Sequence, residues 1–197
     1  MKKLLPSIFC LLIFATSFAQ DNSDSIEHMK FKGLPLDGTL NDYVTKMKQN
    51  GFTLVATENK MAMLEGDFAG YKSCVIGVST LEQKDLVNKI TVVFPECDTW
   101  SSLSSNYYTL KELLTEKYGG PSEVLEKFDA SYEPSDDGER MYRVKFDNCK
   151  YSTNYKTENG SIHLTIDHEG VSSCFVRLSY FDKKNSQIIR EKAKSDL

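Results

Sequence analysis

The sequence predicts an α+β protein built from two tandem repeats, in which a helix packs on its own antiparallel meander of four strands. Two stretches place apolar side chains at the spacing of one helix face. The segments after each stretch alternate apolar and polar residues, as half-buried strands do. The links between these segments are short and contain turn residues, which favours antiparallel neighbours over crossover connections.

The first residues of the chain have the pattern of a secretory signal peptide, predicted to span residues 1–19. Lys2 and Lys3 supply a positive start, and an apolar run follows that is too short to span a bilayer comfortably. Ser17 and Ala19 place small residues at the −3 and −1 positions of a cleavage site. We therefore predict a cleaved signal peptide, with an uncleaved N-terminal anchor as the alternative.

Cleavage between Ala19 and Gln20 leaves residues 20–30, a polar segment that we predict to be a flexible leader. A chain exported in this way works in the periplasm or as a secreted protein. The predicted domain plan continues with a first repeat at 31–97, a second repeat at 98–182, and a charged segment at 183–197 that is either a tail or a short helix.

The charge of the chain argues against two classes of partner. The chain has 24 basic and 28 acidic side chains, a net charge of −4, and loss of Lys2 and Lys3 makes it −6. A nucleic-acid-binding protein needs a basic surface for the phosphates, and an anionic membrane needs a polybasic patch. No second apolar stretch approaches the length of a membrane span, so we predict no transmembrane segment after cleavage.

The first repeat begins with a helix that has recognisable start and stop signals. Thr39 and Asp42 have capping-box spacing, and Asn50–Gly51 supplies the left-handed conformation that ends helices. The apolar face of this helix is Leu40, Tyr43, Val44 and Met47. Four strands follow, predicted at residues 52–57, 61–68, 71–80 and 89–94.

The second repeat has a longer helix, for which Asp98 or Thr99 is the cap and 119–121 is the stop. Its apolar stripe is Trp100, Leu103, Tyr107, Leu110 and Leu114. Residues 129–140 are acidic and are predicted to form an exposed loop. The strands of this repeat are predicted at residues 123–128, 142–147 continuing towards 157, 161–167 and 174–181.

The two repeats can be aligned, which favours an internal duplication. Residues 43–51 correspond to 110–119, and residues 90–94 correspond to 176–180. The offset between the copies grows along the chain, and the acidic insertion accounts for most of that growth. Because identity between the copies is low, the alternative is an α+β chain that has one helix per sheet without duplication.

The repeated plan, with KYGGP at 117–121 closing the second helix, resembles the β-lactamase inhibitor protein architecture. It is also similar to the small outer-membrane-assembly lipoproteins. The stretch from 31 to 182 resembles uncharacterised secreted proteins of the Bacteroidetes in three phrases, FKG at 31–33, FAGY at 68–71 and YFD at 180–182. These motifs are turn glycines and core aromatics, so the resemblance implies a fold and transfers no functional residue.

Four cysteines follow the predicted signal peptide: Cys74, Cys97, Cys149 and Cys174. An even number in an oxidising compartment predicts two disulfides, and four cysteines allow three pairings. Cys74 with Cys97 is favoured because each lies at the outer end of a strand in one predicted hairpin, which leaves Cys149 with Cys174. Buried free thiols are the alternative, because a core of this size does not need covalent staples.

The chain contains none of the short motifs that mark hydrolase elbows, zinc proteases, phosphate loops or dinucleotide sites. His163, Thr165 and Asp167 alternate on one strand face, which is typical of a solvated outer face and does not complete a zinc site. A thiol activated by His163 or His168 is disfavoured, because cysteines in an oxidising compartment are more often paired or buried. We therefore predict no enzyme activity, no metal and no cofactor.

The candidate binding residues are Tyr151, Thr153 and Tyr155, which point to one face of a predicted strand. Exposed tyrosines on a sheet make good anchors for a protein, because they offer a large contact area and lose little entropy. Packing of these side chains beneath a helix, as part of the core, is the alternative.

The sequence therefore favours a secreted or periplasmic, non-enzymatic binding module, a protein-binding or inhibitor-like domain that acts through a sheet face. Its partner is expected to be another protein of the envelope or extracellular space rather than a nucleic acid. Two alternatives stay open: a cell-envelope structural or outer-membrane assembly factor, and a hydrolase whose carboxylates are dispersed along the chain.

Overall fold

The computed structural model describes residues 27–129 and 133–197, so the predicted signal peptide lies outside the described residues. The described chain forms four helices, α1 (Leu40–Gln49), α2 (Trp100–Tyr118), α3 (Asp137–Lys145) and α4 (Lys183–Ser195). Its strands are β1 (Lys30–Phe31), β2 (Leu34–Pro35), β3 (Thr53–Glu58), β4 (Met61–Phe68), β5 (Tyr71–Thr80), β6 (Val87–Val93), β7 (Glu123–Phe128), β8 (Cys149–Lys156), β9 (Gly160–Glu169) and β10 (Ser173–Asp182). The predicted α+β class is confirmed.

Strands β3 to β10 form one antiparallel sheet in the order β3-β4-β5-β6-β10-β9-β8-β7, and β1 pairs with β2 separately. Within each half the strands follow one another as an antiparallel meander, as predicted. The last strands of the halves, β6 and β10, pair with each other, for example at Thr91 and Ser179. This seam makes one continuous sheet where the sequence predicted two.

Local sequence explains both ends of α1. The Thr39 hydroxyl accepts a hydrogen bond from the Asp42 amide at 3.2 Å, as expected of a helix cap. Gly51 follows the helix with φ +87°, a conformation that glycine adopts without strain. The helix packs on β3, β4 and β5 through a buried face made of Tyr43, Val44 and Met47.

Helix α2 follows the same logic over a greater length. Of the two predicted caps it uses Thr99, whose hydroxyl accepts a hydrogen bond from the Ser102 amide at 3.2 Å. The whole predicted stripe is buried, namely Trp100, Leu103, Tyr107, Leu110 and Leu114. No helix within the described ranges is long and apolar enough to cross a membrane.

The predicted loop is wrong at residues 137–140 and the predicted strand is wrong at 142–147, because α3 begins at Asp137 and β8 begins only at Cys149. Residues 130–132 of the predicted loop lie outside the described residues. Asp136 caps the helix by accepting a hydrogen bond from an amide of its first turn at 2.8 Å. Met141 and Val144 are three residues apart, so they share one helix face, and both are buried. The side-chain period here is helical, and β8 begins only after the helix has ended.

Asp137 in α3 also completes the start of α2. Its carboxylate accepts hydrogen bonds from the amides of Trp100 and Ser101 at 2.8 and 2.9 Å. The first amides of a helix have no partner inside the helix, and negative charge is favourable beside them. Part of the cap of α2 therefore comes from a distant segment, which residue spacing alone does not reveal.

Residues 27–30, the described part of the leader predicted at 20–30, belong to the folded structure. Met29 is buried, and its amide donates to the Asp182 carboxylate at 2.6 Å. The His28 ring lies 3.2 Å from the same carboxylate. Asp182 also caps α4 by accepting from the Asn185 amide at 2.7 Å, so the C-terminal segment is a helix rather than a tail.

The core lies between α1, α2 and α3 and one face of the large sheet. On β4, Ala62 and Leu64 are completely buried, whereas Met61 and Met63 are exposed. The buried side chains of β5, β6 and β9 also alternate with more accessible ones. Helix α1 packs on the first half of the sheet and α2 on β9 and β10, so the two helices together cover this face.

Candidate functional site

The predicted binding residues of β8 lie on the face that α2 covers. Thr153 is 0% and Tyr155 1% exposed. The Tyr107 hydroxyl of α2 lies 2.5 Å from the Thr153 hydroxyl, and the Tyr155 hydroxyl donates to the Lys111 carbonyl at 2.9 Å. These two side chains therefore belong to the core and do not form the exposed surface that we predicted.

Tyr151 is half-buried at the same interface. Its ring meets Trp100 edge to face at a centroid distance of 5.0 Å and Tyr107 at 5.7 Å. The ring centroid of Phe128 in β7 lies 5.6 Å from that of Tyr151 and 5.0 Å from that of Trp100. The tyrosines of β8 are thus part of an aromatic cluster beneath α2, which is the alternative left open by the sequence.

The side chains that alternate with the covered ones form the opposite surface of the sheet, which we call the open face. Residues that pair across neighbouring strands form three rows of side chains on this face. The middle row is Ala56, Met63, Gly77, Thr91, Ser179, His163, Asn154 and Glu123. A second row is Thr53, Glu65, Val75, Val93, Arg177, Thr165, Ser152 and Leu125, and a third is Met61, Ser79, Lys89, Phe181, Ser161 and Lys156.

The centre of the open face combines two hydroxyls with three basic side chains. The Ser179 hydroxyl lies 3.4 Å from that of Thr91, and His163 is the pairing partner of Ser179 on β9. Arg177 lies two residues before Ser179, and Lys89 two residues before Thr91, so both project from the same face. We call Lys89, His163 and Arg177 the cationic centre.

The basic groups of the cationic centre make one another's protonated forms less stable. Burial lowers the pKa of Lys89, and the charge of Arg177 lowers it further. Burial also lowers the pKa of His163, with Arg177 and Lys89 adding to the decrease and Glu123 opposing it. The fold therefore holds these groups where their charged forms are less stable than in water.

Only part of this charge has a partner in the protein. Arg177 forms an ion pair with Asp167 of β9. The Lys89 ammonium lies 5.2 Å from the centroid of the Phe181 ring, in a cation–π contact. No carboxylate of residues 27–129 or 133–197 forms an ion pair with Lys89.

Apolar side chains stand on the outer strands of the open face. Met61 and Met63 of β4 are 42% and 39% exposed, and Leu125 of β7 is 40% exposed. The open face thus has a polar, positively charged centre with exposed apolar groups to either side. Alternation along β4 shows that the two methionines share a face, but it does not show whether a helix covers that face.

The predicted outer strand face of β9 belongs to this surface. His163 and Thr165 lie in the rows of the open face, and Asp167 points the same way two residues further on. All three are half-buried rather than fully solvated. Sequence reasoning did not connect them with Lys89 and Arg177, because these come from other strands and meet only through the β6–β10–β9 register.

The four cysteines are all free thiols, so neither predicted disulfide is present in the structure. The amide of Cys97 donates to the carbonyl of Cys174 at 2.8 Å, so the main chains of these two residues are neighbours. Burial raises the pKa of Cys74 to about 11 and that of Cys149 to about 12. These thiols are therefore protonated at neutral pH and are not activated nucleophiles.

His168 makes two structural hydrogen bonds. Its Nδ1 lies 2.7 Å from the Gly170 carbonyl oxygen and its Nε2 3.1 Å from the Asp147 carboxylate. These contacts raise the pKa of the ring, the Gly170 contact most strongly. With both nitrogens engaged, the ring has no free position to accept a proton from a thiol. In the part of the chain that the structure describes, no group of three or more His, Cys, Asp or Glu side chains could hold a metal ion.

The cationic centre and the exposed apolar groups on either side of it therefore form the candidate binding site. Both lie on the face opposite α1 and α2, and Ser186 and Ile189 of α4 line a cavity with Lys89 and Phe181 at one end of this face. Compared with known proteins, the chain matches no family model, no curated protein and no solved structure.

Proposed function

We propose that the chain is a secreted or periplasmic, non-enzymatic binding module that holds another protein of the envelope or extracellular space against its open face. The observation that carries this proposal is the difference between the two faces of one sheet. The face under α1 and α2 is core, whereas the open face keeps Met61, Met63 and Leu125 exposed beside polar groups. Apolar side chains set among polar ones are typical of protein interfaces.

The dimensions of the open face suit a protein partner. Eight strands about 4.8 Å apart span about 34 Å. A face of that width, several residues deep, accommodates the roughly 800 Å² that each partner buries in an interface of standard size. Residues such as Thr91, Val93 and Thr165 make the middle of the face low and even, which favours contact with an extended surface over enclosure of a small molecule.

We also propose that the fold is a duplicated, β-lactamase-inhibitor-like one. In support, α1 precedes the meander β3–β6 and α2 precedes the meander β7–β10. The two halves present corresponding last strands, β6 and β10, to each other at the seam. The halves differ because α3 is inserted between β7 and β8, at the acidic insertion between the aligned copies.

Export is part of the proposal and has a direct test. The chain is expressed with its own N-terminal segment, and the protein is recovered separately from the cytoplasm, envelope and medium. We expect protein from the envelope or medium to begin at Gln20, as shown by intact mass and N-terminal sequencing. A mass that still includes residues 1–19 in the membrane fraction would support the uncleaved anchor instead.

The binding proposal is tested with the processed protein as bait in cross-linking and pull-down experiments on envelope and medium fractions. Met63→Asp places a charge on the open face, whereas Leu113→Asp places the same charge on the outer surface of α2, where Leu113 is 45% exposed. We expect the native chain and Leu113→Asp to retain the same partner, and Met63→Asp to retain much less of it.

Two outcomes would contradict the proposed function. Equal retention of the partner by Met63→Asp and Leu113→Asp would place the interface away from the open face. Retention of nothing, together with hydrolase turnover that one carboxylate substitution abolishes, would make the protein an enzyme. A retained partner that is an outer-membrane assembly component would favour the envelope assembly alternative.

A further inference from the structure

The cationic centre concentrates positive charge on one surface of a protein whose net charge is −4. Lys89 of β6 and Arg177 of β10 carry this charge on neighbouring strands, and His163 of β9, whose lowered pKa keeps its ring neutral at neutral pH, lies beside them. Lys156 of β8 shares the open face with them, two strands away from Phe181 in the same row. Two basic side chains held partly buried on neighbouring strands favour binding of an opposite charge.

The carboxylates near the cationic centre do not neutralise all of its positive charge. Asp167 pairs with Arg177. Glu123 lies at the edge of the sheet, two strands from His163, where it accepts a hydrogen bond from the Asn154 amide group at 3.0 Å. Within the described ranges Lys89 forms no ion pair, so the centre keeps an excess of positive charge.

We propose that the cationic centre receives a carboxylate side chain from an acidic segment of the partner protein, an inference that rests on the proposed function. Lys89 and Arg177 supply the positive charge, and charge-assisted hydrogen bonds to a carboxylate are the strongest available to protein side chains. The hydroxyls of Thr91 and Ser179 lie between them and are hydrogen-bonded to each other, so one of the two keeps its proton free to donate to the carboxylate. Ser179 is only 5% exposed, so the half-buried Thr91 is the hydroxyl residue that an incoming group reaches between the longer basic chains.

The surroundings of the cationic centre favour an acidic protein segment over a free anion. The exposed Met61, Met63 and Leu125 lie on outer strands, beyond the reach of a small ion bound at the centre. A protein segment that carries an acidic residue between apolar ones matches both features at once. Such a pairing of opposite charges also fixes the position of the partner on an otherwise even sheet.

The test measures binding of a blocked hexaglutamate peptide to the processed full chain, with a blocked hexaglutamine peptide as the uncharged control. Fluorescence anisotropy gives the affinity at low and physiological salt, because contacts of exposed charges weaken as salt rises. NMR amide shifts locate the site. We expect only hexaglutamate to bind, with the largest shifts at Lys89, His163 and Ser179.

Three variants separate the cationic centre from general charge. Lys89→Gln with Arg177→Gln is expected to weaken hexaglutamate binding by about tenfold or more. The matched variant Lys46→Gln with Lys48→Gln removes the same charge from the exposed side of α1 and should change the affinity by less than about twofold. Asp167→Asn removes the competing carboxylate and should tighten binding by about threefold, which a folding defect would not do.

Several results would overturn the inference. Failure of hexaglutamate to bind more tightly than hexaglutamine would do so, as would equal weakening by the variants of the cationic centre and of α1. Displacement of the peptide by millimolar inorganic phosphate would show a site for small anions. Tighter binding of heparin than of hexaglutamate would show a site for a polysaccharide.

The capture experiment distinguishes failure of this inference from failure of the proposed function. If Met63→Asp loses the partner while Lys89→Gln with Arg177→Gln retains it, the open face binds protein but the cationic centre does not receive its carboxylate. If Met63→Asp retains the partner as well as the native chain does, the proposed function is wrong whatever the peptide shows.

Discussion

Two buried tyrosines show how much one hydroxyl matters in this fold. The Tyr107 hydroxyl lies 2.5 Å from that of Thr153 beneath α2. Tyr43 of α1 is equally buried, yet its hydroxyl has no hydrogen-bond partner among the described residues. Burial raises the pKa of both tyrosines, so both hydroxyls stay protonated. An unpaired buried hydroxyl costs free energy, whereas a paired one does not.

We therefore expect opposite results from the same change at these positions. Tyr43→Phe should leave the free energy of unfolding unchanged or raise it by about 1 kcal/mol. Tyr107→Phe should lower it by about 1–2 kcal/mol, because Thr153 loses its partner. Urea unfolding followed by the fluorescence of Trp100, the single tryptophan, measures both. Equal losses in the two variants would contradict this account.

His168 should make the stability of the protein depend on pH. Gly170 and Asp147 both present acceptors, so only the doubly protonated ring makes both hydrogen bonds, and these contacts raise its pKa. The stabilisation is then complete below the unfolded pKa near 6.5 and is lost as the pH rises through the higher folded pKa. We expect His168→Gln to destabilise the protein more at pH 5.5 than at pH 8.5 in urea unfolding.

His163 provides the matched control with the opposite sign. Burial first, and then the charges of Arg177 and Lys89, lower its pKa against the opposing effect of Glu123. The folded state therefore resists protonation, and stability is lost as the pH falls from about 6.5 through the lower folded pKa. His163→Gln should flatten this acid-side loss. The same pH profile for both variants would show that the rings do not have these separate roles.

Among the secondary-structure elements, α4 depends most clearly on a single side chain. The Asp182 carboxylate is completely buried and accepts hydrogen bonds from the amides of Met29 and Asn185. The Asn185 side chain in turn donates to the carbonyls of Leu36 and Val87 at 3.1 and 2.8 Å. These contacts tie the N-terminal segment, β6 and the start of α4 together.

We expect Asp182→Ala to lower the free energy of unfolding by about 2–3 kcal/mol, because it leaves buried amides without an acceptor. Asp182→Asn keeps an acceptor and a good cap, so its loss should be smaller. Hydrogen exchange at the amides of Met29 and Asn185 should quicken in the alanine variant, and urea unfolding gives the energies. Equal losses for the two substitutions would contradict the role of the acceptor.

The elements also differ in how well the sequence reveals them. Strand β4 was predicted to the residue, whereas α3 was missed because Met141 and Val144 stand in a short, charged segment. Their spacing of three was the available signal, and the acidic composition around it was read as a loop. A nine-residue helix has little stability of its own, so its packing on α2 and the sheet decides its conformation.

For the molecule as a whole, the seam between β6 and β10 should make the two halves unfold together. Ile90 of β6 and Tyr180 of β10 pair across this seam, and both are buried. Ile90→Ala should lower the free energy of unfolding by about 2–5 kcal/mol. We expect Trp100 fluorescence, which reports on the second half, and hydrogen exchange of Ile76, which reports on the first, to shift together in this variant.

Separate transitions for the two probes would contradict this expectation, since they would mean that each half folds on its own. Val144→Ala in α3 serves as the comparison, because that residue is buried but does not belong to the paired strands β6 and β10. Val144→Ala should lower the free energy of unfolding, while the fluorescence of Trp100 and the hydrogen exchange of Ile76 still report a single transition. Because β6 and β10 are far apart in the sequence, their pairing raises the contact order of the protein, and we expect it to fold more slowly than a chain dominated by local contacts.

The candidate site was accessible from the sequence only in part. The alternation of His163, Thr165 and Asp167 correctly indicated an outer strand face, since all three side chains project from the open face. The tyrosines of β8 were assigned to the wrong surface, because alternation shows that two faces differ but not which one meets a helix. Lys89 and Arg177 carried no local signal, since each is an ordinary basic residue in a strand.

Short-range sequence is sufficient for α1, α2 and most strands of this protein, because caps, turn residues and side-chain periods act within a few neighbouring positions. Tertiary packing alone settles the seam at Thr91 and Ser179, which are 88 residues apart in the chain. It also settles that α2 lies over Thr153 and leaves Arg177 accessible. Both depend on which surfaces lose water together, and that free energy belongs to the assembled sheet rather than to any single segment.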